Sequence, residues 1–175
     1  MRMPLVTAFL LAGVLLAAIS GCSKVSTAEA VKFNDALVAA NKRLSQAGKE
    51  FGEAAVKAIE GQTLEVAMAK RAFVKVSEAM ESVNSEMRLI KVPDSPSGRK
   101  FHEEYLALLK TEEQMVKDDL GAIMRLLENP AQTPAMRQRK IVPIARYLDQ
   151  MDDQNLARIR QVQAAFAKEH GFKIK

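Results

Sequence analysis

The chain has 175 residues, with 26 Lys and Arg against 21 Asp and Glu, and 48% of its residues are hydrophobic. This composition argues against disorder, and the length suits one domain. Aromatic residues make up 5% of the chain and tryptophan is absent, while an abundance of Ala, Leu, Met, Lys and Glu favours helix. The single cysteine excludes an internal disulfide, so the fold must depend on its core alone.

The first 21 residues have the three-part pattern of a secretory signal. Arg2 provides a positive start, residues 5–18 form an uncharged apolar stretch, and the small residues Ser20 and Gly21 follow it. The apolar stretch is shorter than the roughly 20 residues that span a bilayer. An uncleaved membrane helix is therefore the less favoured alternative.

Four residues after this stretch resemble the lipobox of bacterial lipoproteins: Ile19, Ser20, Gly21 and Cys22. The resemblance covers the first 22 residues only. It implies that residues 1–21 are a signal peptide, and that Cys22 carries diacylglycerol and an amide-linked acyl chain. The residue after the cysteine is Ser23 rather than an aspartate. By the same resemblance, this favours the outer membrane, facing the periplasm, over the inner membrane. Two or more acyl chains anchor a protein stably, so residues 22–26 are expected to be a lipidated anchor and short tether.

The first helix is predicted to begin at a capping box, Ser26-Thr27-Ala28-Glu29, and to end at Gly61. Apolar residues recur between them at spacings of three and four, giving a helix of about nine turns. These residues are Ala30, Phe33, Leu37, Ala40, Leu44, Ala47, Phe51, Ala54 and Ala58. Inside this helix Gly48 and Gly52 each cost about 1 kcal/mol relative to alanine. Close approach of a neighbouring helix is the expected reason, and a ligand contact is the alternative.

Three further helices follow. The second repeats the spacing in Val66, Ala69, Phe73, Val76, Met80, Val83, Met87 and Ile90. Pro93 and Pro96 then break the chain, and a third helix runs from about Ser97 or Arg99 to Leu127. Thr133 is the predicted N-cap of the fourth helix, in which Pro143 predicts a kink or break near Val142.

This pattern predicts an all-α fold, an antiparallel four-helix bundle with left-handed coiled-coil-like packing. Residues 27–170 form the single bundle domain, and residues 171–175 a basic tail. A monomer is expected. The alternative is a long helical hairpin that completes its core only as a dimer.

Four polar residues fall within the apolar stripes of the third and fourth helices: Glu112, Asp119, Asp152 and Asn155. Polar groups at such positions need partners if they are buried. The functional interpretation is a polar layer that holds a small ligand or a cation between helices three and four. The structural alternative is that these stripes face solvent, or that Arg146 or Arg158 pairs with the acids.

Catalytic and metal motifs are not found in the sequence. The Glu and His spacing of metal-binding bundles is missing, and His102 and His170 are interpreted as solvated helix-end residues. No nucleophile, base and orienting group can be assembled from the spacing of motifs. We therefore expect no enzyme activity, no metal and no cofactor.

Positive charge is concentrated at the end of the chain, where Pro134–Lys175 holds nine Lys or Arg against four Asp or Glu. In the envelope this surface suits an acidic envelope protein, a cell-wall polymer or anionic lipid, whereas export argues against nucleic acid. The leading hypothesis is a lipid-anchored, non-enzymatic binding or structural protein. The alternative is a carrier that uses the polar layer.

Overall fold

The computed structural model describes residues 25–61 and 63–174, which form helices and short connections, with no strand among them. The signal peptide, the cleavage motif Ile19, Ser20 and Gly21, and the lipidation residue Cys22 lie outside the described residues. The helical segments are α1 (Thr27–Glu60), α2 (Thr63–Leu89), α3 (Pro96–Met115), a π-helical turn (Val116–Leu120), α4 (Gly121–Glu128) and α5 (Pro134–His170). Among the described residues, none of these helices combines the length and apolar character needed to cross a membrane.

Side-chain caps fix where the helices begin. At the predicted capping box, Glu29 N donates to Ser26 Oγ at 3.2 Å and Ser26 N donates to Glu29 Oε2 at 3.1 Å. The predicted cap at Thr133 is also confirmed, since its hydroxyl accepts from Met136 N at 3.3 Å. These bonds satisfy amides that have no partner within the first turn of a helix.

The third helix predicted from the sequence contains a π-helical turn, Val116–Leu120. The segments α3, π-helical turn and α4 follow one another without a gap, and we call them together the third rod. A π turn accommodates one more residue than an α turn. Residues after Val116 are therefore displaced by about one position around the rod from where a straight α-helix would place them.

Pro143 does not interrupt α5. The helix runs without interruption from Pro134 to His170, so there is no break near Val142, and the alternative of a kink there stays a prediction. Proline removes one backbone donor, but Pro143 lies on the exposed side of the helix. Water can there hydrate the carbonyl that loses its partner.

The core consists of the apolar stripes expected from the sequence. In α1 the buried stripe contains Ala55 rather than Ala54, and its other predicted members from Ala30 to Ala58 are buried except Ala47, which is half-buried. One end of the core is aromatic. Phe166 packs against Phe33 and Phe101 with ring centroids 5.6 Å away in both cases.

Polar contacts fix the axial alignment of α1 with its neighbours α2 and α5. Arg43 pairs with Glu86, and Lys75 Nζ lies 3.4 Å from Glu50 Oε2, so higher residue numbers in α1 meet lower numbers in α2. The same reversal holds between α1 and α5. There Asn34 contacts Gln163, whereas the Ala58 carbonyl accepts from Arg137 Nη1 at 3.3 Å. The molecule is therefore a helical bundle with defined register.

Candidate functional site

A cleft of about 610 Å³ separates the middle parts of α1 and α5. Its walls come from Asn41 to Ile59 of α1 and from Ile141 to Leu156 of α5. The floor is formed by Val76 and Met80 of α2 and by residues of the third rod. Ligand pockets in proteins commonly measure about 300–1,000 Å³, so the cleft is large enough for a small molecule.

α1 and α5 contact each other near both ends of the cleft. Gln163 Nε2 donates to Asn34 Oδ1 at 2.7 Å, before the cleft begins in α1, and Arg137 contacts the Ala58 carbonyl near its other end. The two helices are thus held together near each end of the cleft and leave space between these contacts.

Gly48 and Gly52 contribute to this space. Both line the cleft, and a Cβ atom added to either would meet no heavy atom within 4 Å outside its own stretch of helix. The expectation that a neighbouring helix packs closely against them is therefore wrong. At these two positions the wall of α1 carries no side chain, which widens the cleft toward α5.

The polar lining residues are confined to one end of the cleft, where they lie among apolar residues such as Leu44 and Leu156. Because Asn34 lies level with Gln163 and Ala58 level with Arg137, Asp152 lies near the height of Leu44, and Ile141 near that of Ala55. The polar lining residues nearest the Asn34 contact are Asn41, Ser45, Glu112, Asp149 and Asp152. The lining residues toward the Arg137 contact are apolar: Phe51, Ala55, Val56, Ile59, Ile123, Ile141 and Ala145.

Glu112 is the most unusual charged residue of the cleft. It is half-buried on α3, and among the described residues it has neither a hydrogen bond nor an ion pair. Burial, and secondarily the negative charge of Asp152, raise the pKa of Glu112 to about 7. Its carboxyl group is therefore partly protonated near neutral pH.

Asp152 faces the same cleft from α5 and is more exposed than Glu112. Its pKa is raised by partial burial first, and then by the neighbouring charges of Asp153 and Asp149. Neither arginine considered in the structural alternative pairs with Glu112. Arg158 forms its ion pair with Glu104 instead, and Arg146 is exposed.

The other two residues of the predicted polar layer do not line the cleft. Asp119 lies in the π-helical turn, where the extra residue per turn changes the direction in which the following side chains point. Asn155 is half-buried on α5, and its Nδ2 atom has no hydrogen-bond partner in the part of the chain that is described. The structure thus brings Glu112 and Asp152 to one cleft, without Asp119 or Asn155.

The two histidines have structural roles. His102 Nε2 donates to the Met87 carbonyl at 2.8 Å, and His170 Nε2 lies 3.0 Å from Ser95 Oγ. Both are half-buried, so their interpretation as solvated residues is wrong. Within residues 25–61 and 63–174, no group of three or more His, Cys, Asp or Glu is arranged to hold a metal ion.

Several cleft residues were not singled out from the sequence, notably Asn41, Ser45 and Asp149. Their positions on the helices indicate nothing unusual until the space between α1 and α5 is known. The glycine pair was the available clue, because two glycines one turn apart in a helix require a compensating reason.

Comparisons with known proteins do not supply a function for this cleft. No family model, curated protein or solved structure matches the chain. The residues of the cleft itself are therefore the basis on which a function is assigned.

Proposed function

We propose that this chain is a lipid-anchored protein of the bacterial cell envelope. The support is the lipobox-like sequence Ile19, Ser20, Gly21 and Cys22, followed by Ser23 rather than an aspartate, which by the same resemblance favours the outer membrane. Acylated Cys22 would hold the protein to the outer membrane, facing the periplasm. The helix cap at Ser26 begins a few residues later, so the bundle would stand on a short tether.

Replacing Cys22 by Ser tests the anchor. The variant is expected to remain an unprocessed precursor or to be released from the membrane, and wild-type protein should incorporate labelled fatty acid at this residue. Lack of label in wild-type protein would remove the basis for the envelope assignment.

We further propose that the domain is a monomeric antiparallel four-helix bundle with left-handed coiled-coil-like packing. Support comes from the reversed numbering of the contacts between α1 and α2 and between α1 and α5. The near-heptad spacing of the buried residues in α1 and α2 supports the packing mode.

Within this protein the function that the geometry supports best is non-enzymatic binding of a small ligand in the cleft. One observation carries it: α1 and α5 contact each other near both ends of a space of about 610 Å³ in which Gly48 and Gly52 provide no side chains. A bundle that only supports the envelope has no need for such a space, because filling it with side chains would add buried apolar area. This favours the carrier hypothesis over a purely structural role.

The test is to identify what the native protein holds. Full-length protein extracted from the envelope in mild detergent is expected to carry a small molecule, detectable by native mass spectrometry. Gly52→Leu, which places a side chain in the cleft, should lose it, whereas Ala39→Leu on an exposed part of α1 should retain it. If crosslinks at the cleft instead lead to another protein, the site is a docking surface and the carrier proposal is wrong.

A second candidate function uses the basic surface of α5. Arg139, Lys140 and Arg146 are exposed near the start of this helix, beside the half-exposed side chain of Tyr147. This surface suits an acidic envelope protein, a cell-wall polymer or anionic lipid. Charge reversal of the three basic residues should weaken binding to anionic vesicles or cell-wall fragments and leave the ligand in the cleft in place.

A further inference from the structure

The shape of the cleft limits what can occupy it. It follows α1 from Asn41 to Ile59, a length of about 27 Å at 1.5 Å per residue. A space of about 610 Å³ along this length of α1 suits the extended chain of a small molecule.

The distribution of polar groups sets the direction of such a chain. Its apolar part would lie among Phe51, Ala55, Ile59, Ile123 and Ile141, and its polar end would lie at Glu112 and Asp152. The lining contains three acidic residues, Glu112, Asp149 and Asp152, and one basic residue, Lys49, so negative charge predominates at this end. Lys49 is also exposed and lies 4.0 Å from Glu53.

We propose that the cleft between α1 and α5 binds one elongated amphiphile, with its apolar chain along the apolar end and a protonated amine between Glu112 and Asp152. The proposal rests on the proposed ligand-binding function and adds the chemical class of the ligand. The amine supplies the partner that Glu112 lacks among the described residues. It also relieves repulsion between the two carboxylates, which explains why both acids face one space.

Proton release accompanies binding in this arrangement. Glu112 is partly protonated near neutral pH, and an ammonium group stabilises its ionised form. The charged groups lining the cleft around it are Asp149 and Asp152 of α5 and Lys49 of α1, while α2 and the remainder of the third rod contribute uncharged side chains. Affinity for the amine is therefore expected to increase as pH rises from about 6 to 8.

Calorimetric titration of full-length protein in lipid nanodiscs provides the test, with empty nanodiscs as the blank. The probes are n-octylammonium, uncharged n-octanol and anionic octanoate, which share one chain. Octylammonium is expected to bind at least about tenfold more tightly than the other two, and Glu112→Gln should remove that preference. The matched control is Glu103→Gln, an exposed carboxylate of the same helix. At pH 6.5 the heat should depend on the buffer in wild-type protein, because a proton is released, and not in Glu112→Gln.

Gly52→Leu separates failure of this inference from failure of the proposed function. It is expected to abolish binding of octylammonium while circular dichroism shows unchanged helix content. If all three probes bind equally and Gly52→Leu blocks them all, the cleft is a binding site but the amine is wrong. If none binds wild-type protein, the amine and the small-ligand function are both overturned. Loss of a dimeric mass in Gly52→Leu would assign the cleft to a second copy and would also overturn the inference.

Discussion

Gln163 Nε2 of α5 donates a 2.7 Å hydrogen bond to Asn34 Oδ1 of α1, and both side chains are buried. Asn34 in turn donates from Nδ2 to Asp35 Oδ1 at 3.2 Å. This buried polar contact lies at the aromatic end of the core, close to Phe33 and Phe166. It fixes the height of α5 against α1 and hence the position of the cleft.

Gln163→Leu should lower the free energy of unfolding by about 1–3 kcal/mol, because it leaves Asn34 Oδ1 buried without its donor. Asn34→Leu should have a similar effect, and the double variant should lose less than the sum of the two. Urea denaturation followed by circular dichroism measures this. Gln161→Leu on the exposed side of α5 is the control and should change stability by no more than about 0.5 kcal/mol. Simple additivity would show that the two amides are not coupled.

The chain from Ser23 onward is expected to be a strongly helical monomer that unfolds cooperatively. The reason is that the apolar stripes of α1, α2, the third rod and α5 pack into one core. Thermal melts by circular dichroism at several protein concentrations check this, with sedimentation for the mass. A midpoint that rises with concentration, together with a dimeric mass, would support the helical-hairpin dimer instead.

Gly48→Ala and Gly52→Ala should each stabilise the domain by about 0.5–1 kcal/mol, since both glycines lie within α1 and have open space at the added Cβ. Gly98→Ala is the opposing comparison. Its Cβ would lie 2.8 Å from the Pro93 carbonyl oxygen and 2.9 Å from Ser95 Oγ, so this variant should be destabilised. Thermal denaturation of the three variants measures the difference. Destabilisation by Gly48→Ala or Gly52→Ala would contradict the open geometry of the cleft.

Glu112→Gln should stabilise the ligand-free domain at pH 8, because the variant removes a half-buried carboxylate that has no cationic partner and lies near Asp152. After allowance for its partial exposure, we expect about 1–3 kcal/mol. A loss of stability would instead indicate a stabilising partner such as Arg146 or Arg158. A change within about 0.5 kcal/mol would indicate a solvated side chain.

The same variant should change the pH dependence of stability. Burial raises the pKa of Glu112 from 4.5 to about 7, so the folded chain retains a proton that the unfolded chain has released across this interval. The wild-type free energy of unfolding should therefore fall relative to Glu112→Gln as pH increases from about 4.5 to 7, and remain lower above it. Parallel denaturation series at pH 5 and pH 8 measure this difference. A constant difference between the two proteins across that range would show that the pKa of Glu112 is not raised.

The helices and their buried faces were predictable because their signals are local. The cap at Ser26, the stop at Gly61 and the three-four spacing in α1 each depend on residues within a few turns. The π-helical turn was not predictable from the same spacing, since the continuing heptad pattern places Asp119 with Glu112 on one face. In the structure Val116 and Ile123 are buried, whereas Asp119, within the turn, is half-buried and does not line the cleft.

The cleft was less accessible to sequence reasoning than the helices. It depends on the separation between α1 and α5. That separation is set by contacts of Asn34 with Gln163 and of Ala58 with Arg137, pairs that are more than 75 residues apart in the sequence. Glu112 and Asp152 were identifiable as polar residues in apolar stripes. Their orientation toward the cleft could not be predicted without the packing of all the helices. The same holds for the position of the two glycines, which lie opposite α5 across open space.

The start of α1 meets the end of α5, where Thr27 Oγ1 donates to the His170 carbonyl at 3.0 Å. If Cys22 is the anchor, the residues before Thr27 span at most about 18 Å, so this end of the bundle stands next to the bilayer. Asn41, where the cleft begins, lies about 21 Å further along α1. An upright domain would therefore take its ligand from the aqueous periplasm. Direct exchange with membrane lipids would require the bundle to tilt until the face between α1 and α5 touches the bilayer.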